Sequence, residues 1–368
     1  MTPIPINDPV RVYRRLKREI DGAVAQAVSS GRWIDGAFTQ AFARDFAAWC
    51  GVEHCVPLAN GTDALELALR ALGVGPGDEV VTAGNGGGFA TEACRLVGAT
   101  PVWSDVREDS LGLDPDALGA NVSPRTKVAV ATHLYGILAD VAGIRAALDR
   151  IGRSDVRILE DCAKAHCAAR DGQCAGSFGD VAAFSFYPTK NLGAFGDAGA
   201  ILTNDPALAE RVARLRLHGW GERFHQAMPF GRNSRMSEVQ AAVLTVKLPW
   251  LDRLNAERRG ILARYAAAVR APCRIVGADD PTGVAHLAIV RTPRRRALIE
   301  AMTAAGIATD VHYPVLDCDQ QSARGLPGRK GRLSVSERAR DEILTLPCYP
   351  GLADHEIDRV AAVLARHS

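Results

Sequence analysis

The sequence lacks an apolar run long enough to span a bilayer, and its first residues do not place a basic segment before an apolar one. We therefore expect no membrane span and no signal peptide. Its nine cysteines include no Cys-x-x-Cys pair, which favours reduced thiols in the cytoplasm over a disulfide framework. The formal net charge is only +2, so no overall field favours nucleic acid or an anionic membrane as a partner.

Lysine is also scarce, with only six among 368 residues, so a lysine in apolar surroundings is informative. Lys190 is such a residue. It follows the apolar, β-prone segment 181–186, and Pro188 forces the chain to turn just before it. A desolvated lysine loses its proton easily and can form a Schiff base with an aldehyde. From these residues alone, a solvated loop lysine remains an equal alternative.

The length and the 47% hydrophobic content predict a large core and two domains. Helical patterns cover 8–30 and 38–49, and from residue 54 short apolar strands alternate with helices, which indicates an α/β fold with a mainly parallel sheet covered by helices. The predicted strands are 54–58, 79–82, 101–103, 128–132, 156–159 and 181–186, and the helices between them are 62–72, 90–97 and 141–149.

A long helical segment over 232–254 contains Pro249, which should break or kink it. We place the domain boundary there. Residues 1–250 then form an N-terminal segment and a large domain, and residues 251–368 form a small C-terminal α/β domain. In the small domain we predict a strand over 286–290, a helix after Pro293, a loop around His312 and a last helix from Asp354.

Four groups that could bind a ligand fall at strand ends, where parallel α/β sheets bind their ligands. Gly61-Thr62-Asp63 opens a helix whose free N–H groups could hold a phosphate, or the triplet is an ordinary N-cap. Asp161 could keep a proton on a pyridine nitrogen, or it is a loop carboxylate. Together with the aromatic Phe89 and Lys190, these groups predict a pyridoxal phosphate site.

A metal site is the alternative offered by four thiol and imidazole side chains that follow Asp161, namely Cys162, His166, Cys167 and Cys174. Their spacing matches none of the usual zinc patterns, and no second ligand pair follows. We therefore expect no metal.

The chain resembles the DegT/DnrJ/EryC1/StrS family of nucleotide-sugar aminotransferases over nearly its whole length. The segments that carry the resemblance are 60–65 (NGTDAL), 132–136 (THLYG), 160–163 (EDCA), 176–180 (GSFGD), 185–193 (SFYPTKNLG) and 233–242 (NSRMSEVQAA). The resemblance implies a fold-type I aminotransferase, a large cofactor-binding domain with a smaller C-terminal one, and a homodimer with pyridoxal phosphate near the subunit interface.

By position in these motifs, Lys190 would bind the cofactor covalently and Asp161 would pair with the pyridine nitrogen. The resemblance further implies a set of contacts: Phe89 on the ring, Gly61, Thr62, Asp63 and Ser185 at the phosphate, Asn233 at the phosphate of the partner subunit's cofactor, and Tyr187 and His218 near the sugar nucleotide. Two departures stand out. Lys164 replaces the usual Gln near the ring oxygen, and Gly88 replaces a Thr before Phe89.

His312-Tyr313-Pro314-Val315 resembles the loop of family members that act on dTDP-linked 3-keto-6-deoxyhexoses. The resemblance thus implies amino-sugar biosynthesis with glutamate as the donor, and with pyridoxamine phosphate formed in the half-reaction. The alternatives are a 4-keto or a UDP- or GDP-linked sugar, a dehydratase, or a non-catalytic sensor on the same fold. The lysine at 190 argues against the dehydratase, because dehydratases of this kind carry His there.

Overall fold

The computed structural model describes residues 2–367. The first part of the chain contains three helices and then alternates strands with helices. Its elements are α1 Pro9–Arg15, α2 Lys17–Ser29, α3 Ala37–Cys50, β1 His54–Leu58, α4 Gly61–Ala71, β2 Glu79–Ala83, α5 Phe89–Leu96, β3 Thr100–Ser104, α6 Pro115–Asn121, β4 Thr126–Thr132, α7 Val141–Arg150 and β5 Arg157–Asp161.

The middle of the chain adds two hairpins, two long strands and two helices, and the C-terminal part adds short strands and four helices. These elements are β6 Ala169–Arg170, β7 Gln173–Cys174, β8 Val181–Ser185, β9 Gly199–Thr203, α8 Pro206–Leu215, β10 Trp220–Glu222, β11 His225–Gln226, α9 Glu238–Lys247, α10 Leu251–Ala268, β12 Arg274–Ile275, β13 Ala288–Arg291, α11 Arg295–Ala304, β14 Arg329–Lys330, α12 Ser334–Glu342, β15 Ile343–Leu346 and α13 Asp354–His367.

The large sheet has the strand order β1-β9-β8-β5-β4-β2-β3-β14. Its pairs are parallel except for those that β9 makes with β1 and β8. The carboxyl ends of β1, β8, β5, β4 and β2 therefore meet at one edge. Strands such as β2 and β9 are buried along their whole length, as expected for a sheet that is covered on both faces.

A cluster of aromatic rings joins α3 to β8 on one face of this sheet. Phe42 and Phe46 on α3 are fully buried, and both make edge-on contacts with Phe186, which follows β8. Phe46 makes a similar contact with Phe184. This aromatic face of α3 is thus part of the core, and it packs against the end of β8 from which the Lys190 loop starts.

A second sheet of three antiparallel strands, in the order β12-β13-β15, lies in the C-terminal part. The N-terminal end of the chain contacts this part as well, because Ile4 pairs with Ile307 and the Arg11 guanidinium donates to the Glu356 carboxylate. One strand of the C-terminal part, β14, joins the large sheet beside β3. The domain boundary near residue 250 stays a prediction.

Several predicted elements differ in detail from the structure. The first helix is two helices that meet at Leu16, and the helix expected from Arg232 begins at Glu238. A 3₁₀ turn over Leu248–Trp250 interrupts the long helix where Pro249 stands, as predicted, but α10 then continues to Ala268, well beyond residue 254. The predictions missed α6, α8, β9, β12, β14, α12, β15 and the two small hairpins.

No helix within residues 2–367 is both long and apolar enough to cross a membrane.

Candidate active site

A cavity of about 300 Å³ opens at the edge where the parallel strands end. It is lined by residues from four strand ends and from the loop between β8 and β9. The lining residues are Asn60, Gly61, Thr62, Leu65, Phe89, Asp161, Ala163, Lys164, Ser185, Tyr187, Lys190 and Asp197. Eight of the residues predicted from the sequence are among these twelve.

The start of α4 forms one wall of the cavity. The Asn60 side chain caps the helix by accepting from the Asp63 N–H at 2.7 Å, and the first-turn N–H groups of Gly61 and Thr62 have no partner within the helix. Gly61 is needed here because a Cβ atom would lie 2.5 Å from the Ser185 Cβ. Two backbone donors and two hydroxyls thus converge on one small space, which suits a phosphate.

The end of β5 points two carboxylates to opposite sides. Asp161 lines the cavity and accepts from the Ala163 N–H at 3.1 Å. Glu160 faces away and is fully buried, where it accepts from the His133 ring and from the N–H groups of Gly176, Phe178 and Gly179. Strand alternation therefore gives Glu160 a structural position and leaves Asp161 free to meet a ligand.

Lys190 lines the cavity from the loop between β8 and β9, and its backbone N–H donates to the Tyr187 carbonyl at 2.8 Å. Burial lowers the pKa of Lys190 to about 7, and the positive charge of Lys164 acts in the same direction, while Asp161 opposes both. A substantial fraction of Lys190 is therefore an uncharged amine near neutral pH, which is the form that attacks an aldehyde.

Lys164 is only 4% exposed and lies against two aromatic rings. Its Nζ atom is 5.7 Å from the ring centroid of Phe89 and 5.2 Å from that of Tyr313. Burial alone would lower the pKa of Lys164, but Tyr313, Asp161 and Asp317 favour the charged form, and the pKa is raised. Lys164 is therefore a cation in the same cavity in which Lys190 tends to be neutral.

Phe89 is the first residue of α5. The turn before it is hydrogen-bonded to Asp317 of the C-terminal part. The Asp317 carboxylate accepts from the N–H groups of Gly87 and Gly88, each at 2.9 Å, and from the Thr91 hydroxyl at 3.0 Å. Gly88 has a φ of +88°, a left-handed conformation in which threonine would be strained. This accounts for glycine at position 88.

Five of the predicted site residues lie outside the cavity lining. The Asp63 carboxylate pairs with Arg232 at 3.1 Å, and Asn233 is exposed and accepts from Arg235. The His218 ring lies 5.1 Å, centroid to centroid, from that of Trp220 in the β10–β11 hairpin. The His312 ring hydrogen-bonds to the Thr345 hydroxyl at 2.9 Å.

Tyr313, the fifth, still approaches the site through its contacts with Lys164 and with Phe89, whose ring centroid is 6.1 Å away. The roles implied for these five residues stay predictions.

Four residues of the lining had no predicted role in the site: Asn60, Leu65, Ala163 and Asp197. Asn60 carried a usable signal, because an Asn directly before a helix is a frequent N-cap. Asp197 carried none, since it reaches the cavity only because β9 returns antiparallel beside β8.

Of the four side chains weighed for a metal, only Cys162 joins a group of possible ligands within residues 2–367. The cluster of suitable type that does come together there is His133, Glu160 and Cys162, all of them buried. Its Glu160 is already engaged by four hydrogen-bond donors, so this cluster has a structural explanation.

The cavity fits pyridoxal phosphate in size and in chemistry. It offers N–H and hydroxyl donors for a phosphate at one end, an aspartate for a pyridine nitrogen, an aromatic ring beside that space and a lysine with a lowered pKa. The fold and the cavity together define an aminotransferase of fold type I, the class that uses this cofactor.

The chain belongs to the DegT/DnrJ/EryC1/StrS aminotransferase family, whose family model matches residues 14–365. It is 40% identical over 360 residues to a dTDP-3-amino-3,4,6-trideoxy-alpha-D-glucose transaminase of Streptomyces venezuelae, which covers 97% of this chain and 94% of the relative.

Solved structures agree with this assignment. The S. venezuelae protein DesV, crystallised with a ketimine intermediate, superimposes with a TM-score of 0.94 at 38% identity and covers 100% of this chain and 98% of its own. Bacillus subtilis NtdA, solved with bound pyridoxamine phosphate, gives a TM-score of 0.90 at 26% identity, with 100% of this chain and 85% of NtdA covered.

Proposed function

We propose that this protein transfers the amino group of glutamate to a nucleotide-linked keto sugar, and that a dTDP-linked 3-keto-6-deoxyhexose is the acceptor. The observation that carries the proposal is the pairing of Lys190 with Asp161 in one cavity, beside a phosphate cradle. The acceptor is inferred from the dTDP-amino-sugar transaminase that is 40% identical and from the loop around Tyr313. Such a reaction belongs to amino-sugar biosynthesis.

Each wall of the cavity has a task in this reaction. The bound cofactor supplies an electron sink for the carbon that loses its proton. The N–H groups of Gly61 and Thr62 and the Ser185 hydroxyl would hold the phosphate, and Asp161 would keep a proton on the pyridine nitrogen. Lys190, largely uncharged near neutral pH, would move a proton between the substrate carbon and the cofactor.

Lys164 takes the place of the usual Gln, and we assign it to the ring oxygen of the cofactor. It lies three residues after Asp161, so an aspartate at the pyridine nitrogen brings it toward the oxygen edge of the same ring. A buried cation there would stabilise a negatively charged oxygen by a charge-assisted hydrogen bond. A Lys164 that serves only as packing between Phe89 and Tyr313 is the alternative.

The purified protein tests the reaction directly. We expect visible absorbance from the covalently held cofactor, bleaching with glutamate, and recovery of the colour when the correct keto sugar nucleotide is added. The acceptor panel pairs dTDP-linked 3-keto and 4-keto hexoses with UDP- and GDP-linked ones. Recovery only with a 4-keto or UDP-linked sugar would overturn the acceptor, whereas absence of bleaching by any amino donor would overturn the reaction.

We further propose that the active unit is a homodimer working in the cytoplasm. Asn233 is exposed, and large apolar side chains that shortly precede it in the sequence are exposed too, among them Phe224 at 69% and Phe230 at 72%. A second subunit would cover them and let Asn233 reach the partner's cofactor phosphate. The nine cysteines are free thiols, which agrees with a reducing compartment.

Subunit exchange tests the shared site. Lys190→Ala and Asn233→Ala homodimers should each be weakly active, and mixing them should create hybrid dimers in which one site carries both lesions and the other neither. Activity should rise toward about half of the wild-type value per hybrid dimer as exchange proceeds. Exchange demonstrated by mass spectrometry without recovered activity would count against the shared site.

A further inference from the structure

The loop that carries Lys190 is held from beneath by the side chain of the next residue. The Asn191 amide nitrogen donates to the Asn255 side-chain oxygen at 2.8 Å and to the Val284 carbonyl at 3.0 Å. Its oxygen lies 2.8 Å from the His286 Nδ1 atom. Asn191 is 7% exposed, so these three bonds replace nearly all contact with water.

These contacts fix both the orientation of the amide and the tautomer of the histidine. A carbonyl such as that of Val284 can only accept, so the Asn191 nitrogen must face it and the Asn191 oxygen must face His286. That oxygen can only accept as well, and His286 must therefore carry its proton on Nδ1. Asn255 continues the chain by donating to the His166 carbonyl at 2.9 Å.

The last hydrogen bond of this network is made to the strand from which the loop starts. His166 Nε2 lies 3.0 Å from the carbonyl of Ser185, the last residue of β8, and donates to it. Asn191 and Ser185, on either side of Lys190, are therefore tied to one buried network. Asn255 is on α10 and His286 precedes β13, so both anchors belong to the C-terminal part of the chain.

His286 can serve only as a neutral donor in this position. Burial lowers its pKa well below the usual range, and the positive charges of Lys190, Arg258 and Lys164 and the neighbouring His166 act in the same direction. Burial also lowers the pKa of His166 to about 3. The network is thus uncharged throughout the physiological range and does not compete with Lys190 for protons.

We propose that His286 and Asn191 are positioning residues for Lys190: the Nδ1–H of His286 locks the Asn191 amide, which fixes the backbone that aims the Lys190 amine into the cavity. Neither residue lines the cavity, so the proposal assigns them no contact with the cofactor. The inference rests on the proposed role of Lys190. It predicts that the network governs how fast Lys190 reacts with an aldehyde, and leaves phosphate binding unchanged.

The test separates these two steps in the full-length protein stripped of cofactor. Covalent attachment is followed by absorbance after addition of pyridoxal phosphate, and non-covalent binding is measured with 4-deoxypyridoxine 5′-phosphate, which has no aldehyde. For His286→Leu we expect attachment to slow by about tenfold or more, because a misplaced reactive group loses its alignment. The affinity for the deoxy analogue should change by less than about twofold, because binding without the aldehyde does not depend on the alignment of Lys190.

Two variants sharpen the result. His286→Asn keeps a donor nitrogen bonded to Cγ, where His Nδ1 stands, and should restore the rate to within about threefold of wild type. Leu364→Ala removes a fully buried side chain from α13 without touching the network and serves as a control for general loss of stability. If His286→Leu does not fold, Asn191→Ala carries the same expectation.

The outcomes that overturn the proposal are distinct from those that overturn the function. Borohydride reduction and peptide mapping of wild-type protein come first, and a label away from Lys190 defeats the proposed role of that lysine. With the label on Lys190, a wild-type rate in His286→Leu defeats the positioning role alone. So does equal slowing in Leu364→Ala, parallel loss of the deoxy analogue, or a ¹⁵N spectrum that shows His286 protonated on Nε2.

Discussion

Two segments of the chain deliver a lysine to the same cavity. Lys164 lies in the turn after β5, and Lys190 lies in the loop between β8 and β9. Lys164 is surrounded by groups that favour its charge, namely Asp161, Asp317 and the faces of two aromatic rings. Lys190 has fewer such groups and faces Lys164 itself, so its pKa is lowered to about 7. Burial acts on both lysines, and the neighbouring charges decide that the pKa of Lys164 is raised while that of Lys190 is lowered.

Substitution of each lysine in turn should give the largest difference in activity between two variants. Lys190→Ala should lower the glutamate half-reaction by about 10²–10⁴-fold, because the group that moves the proton is lost. Lys164→Ala should lower the rate of the same half-reaction by less than about 10²-fold, the lower end of that range. Stopped-flow absorbance of both variants measures the difference, and borohydride labelling of wild-type protein identifies the reactive lysine. A label on Lys164 would reverse the assignment.

The neighbouring carboxylates at the end of β5 allow the next test. Asp161→Asn keeps the shape but removes the charge that faces the cavity, and turnover should fall by about 10²-fold or more while some cofactor still binds.

Glu160→Gln is the matched control, because it alters a carboxylate on the opposite face that holds Gly176, Phe178 and Gly179. It should cost about 1–3 kcal/mol of unfolding free energy, measured by urea denaturation, with far less loss of turnover per folded molecule. Near-normal turnover in Asp161→Asn would remove its role at the pyridine nitrogen.

The smallest effect concerns the charge of Lys164. Lys164→Gln restores the usual family residue and removes a cation that disfavours protonation nearby, so the covalently held cofactor should keep its proton to higher pH by on the order of one unit in a spectral titration.

The pH at which Lys190 becomes reactive should move in the same direction. In cofactor-free wild-type protein, the rate of attachment should rise with pH and level off above about 7, because Lys190 is uncharged there. In Lys164→Gln the inflection should lie higher. Unchanged midpoints in both titrations would mean that Lys164 does not act on the ring or on Lys190.

Local sequence carried much of this site. Asn60, Gly61 and Thr62 follow a short strand and open a helix, Asp161 ends another strand, and Pro188 stops β8 before Lys190. Period-2 and period-3.6 patterns reveal such elements, and the parallel arrangement places their ends at one edge. The family resemblance supplied the roles. The helix predicted from residue 232 was wrong for residues 232–237, because α9 begins only at Glu238.

Partnerships between distant segments were decided only in the folded chain. The sequence determined that a lysine, an aspartate and a helix N-terminus would stand at strand ends, because that follows from patterns a few residues long. Tertiary structure decided that β9 returns antiparallel beside β8, and that Asp317 grips the turn before Phe89. It also decided that His286 holds the Asn191 amide. The two lysine pKa values have the same origin, since burial and charge depend on side chains far apart in sequence.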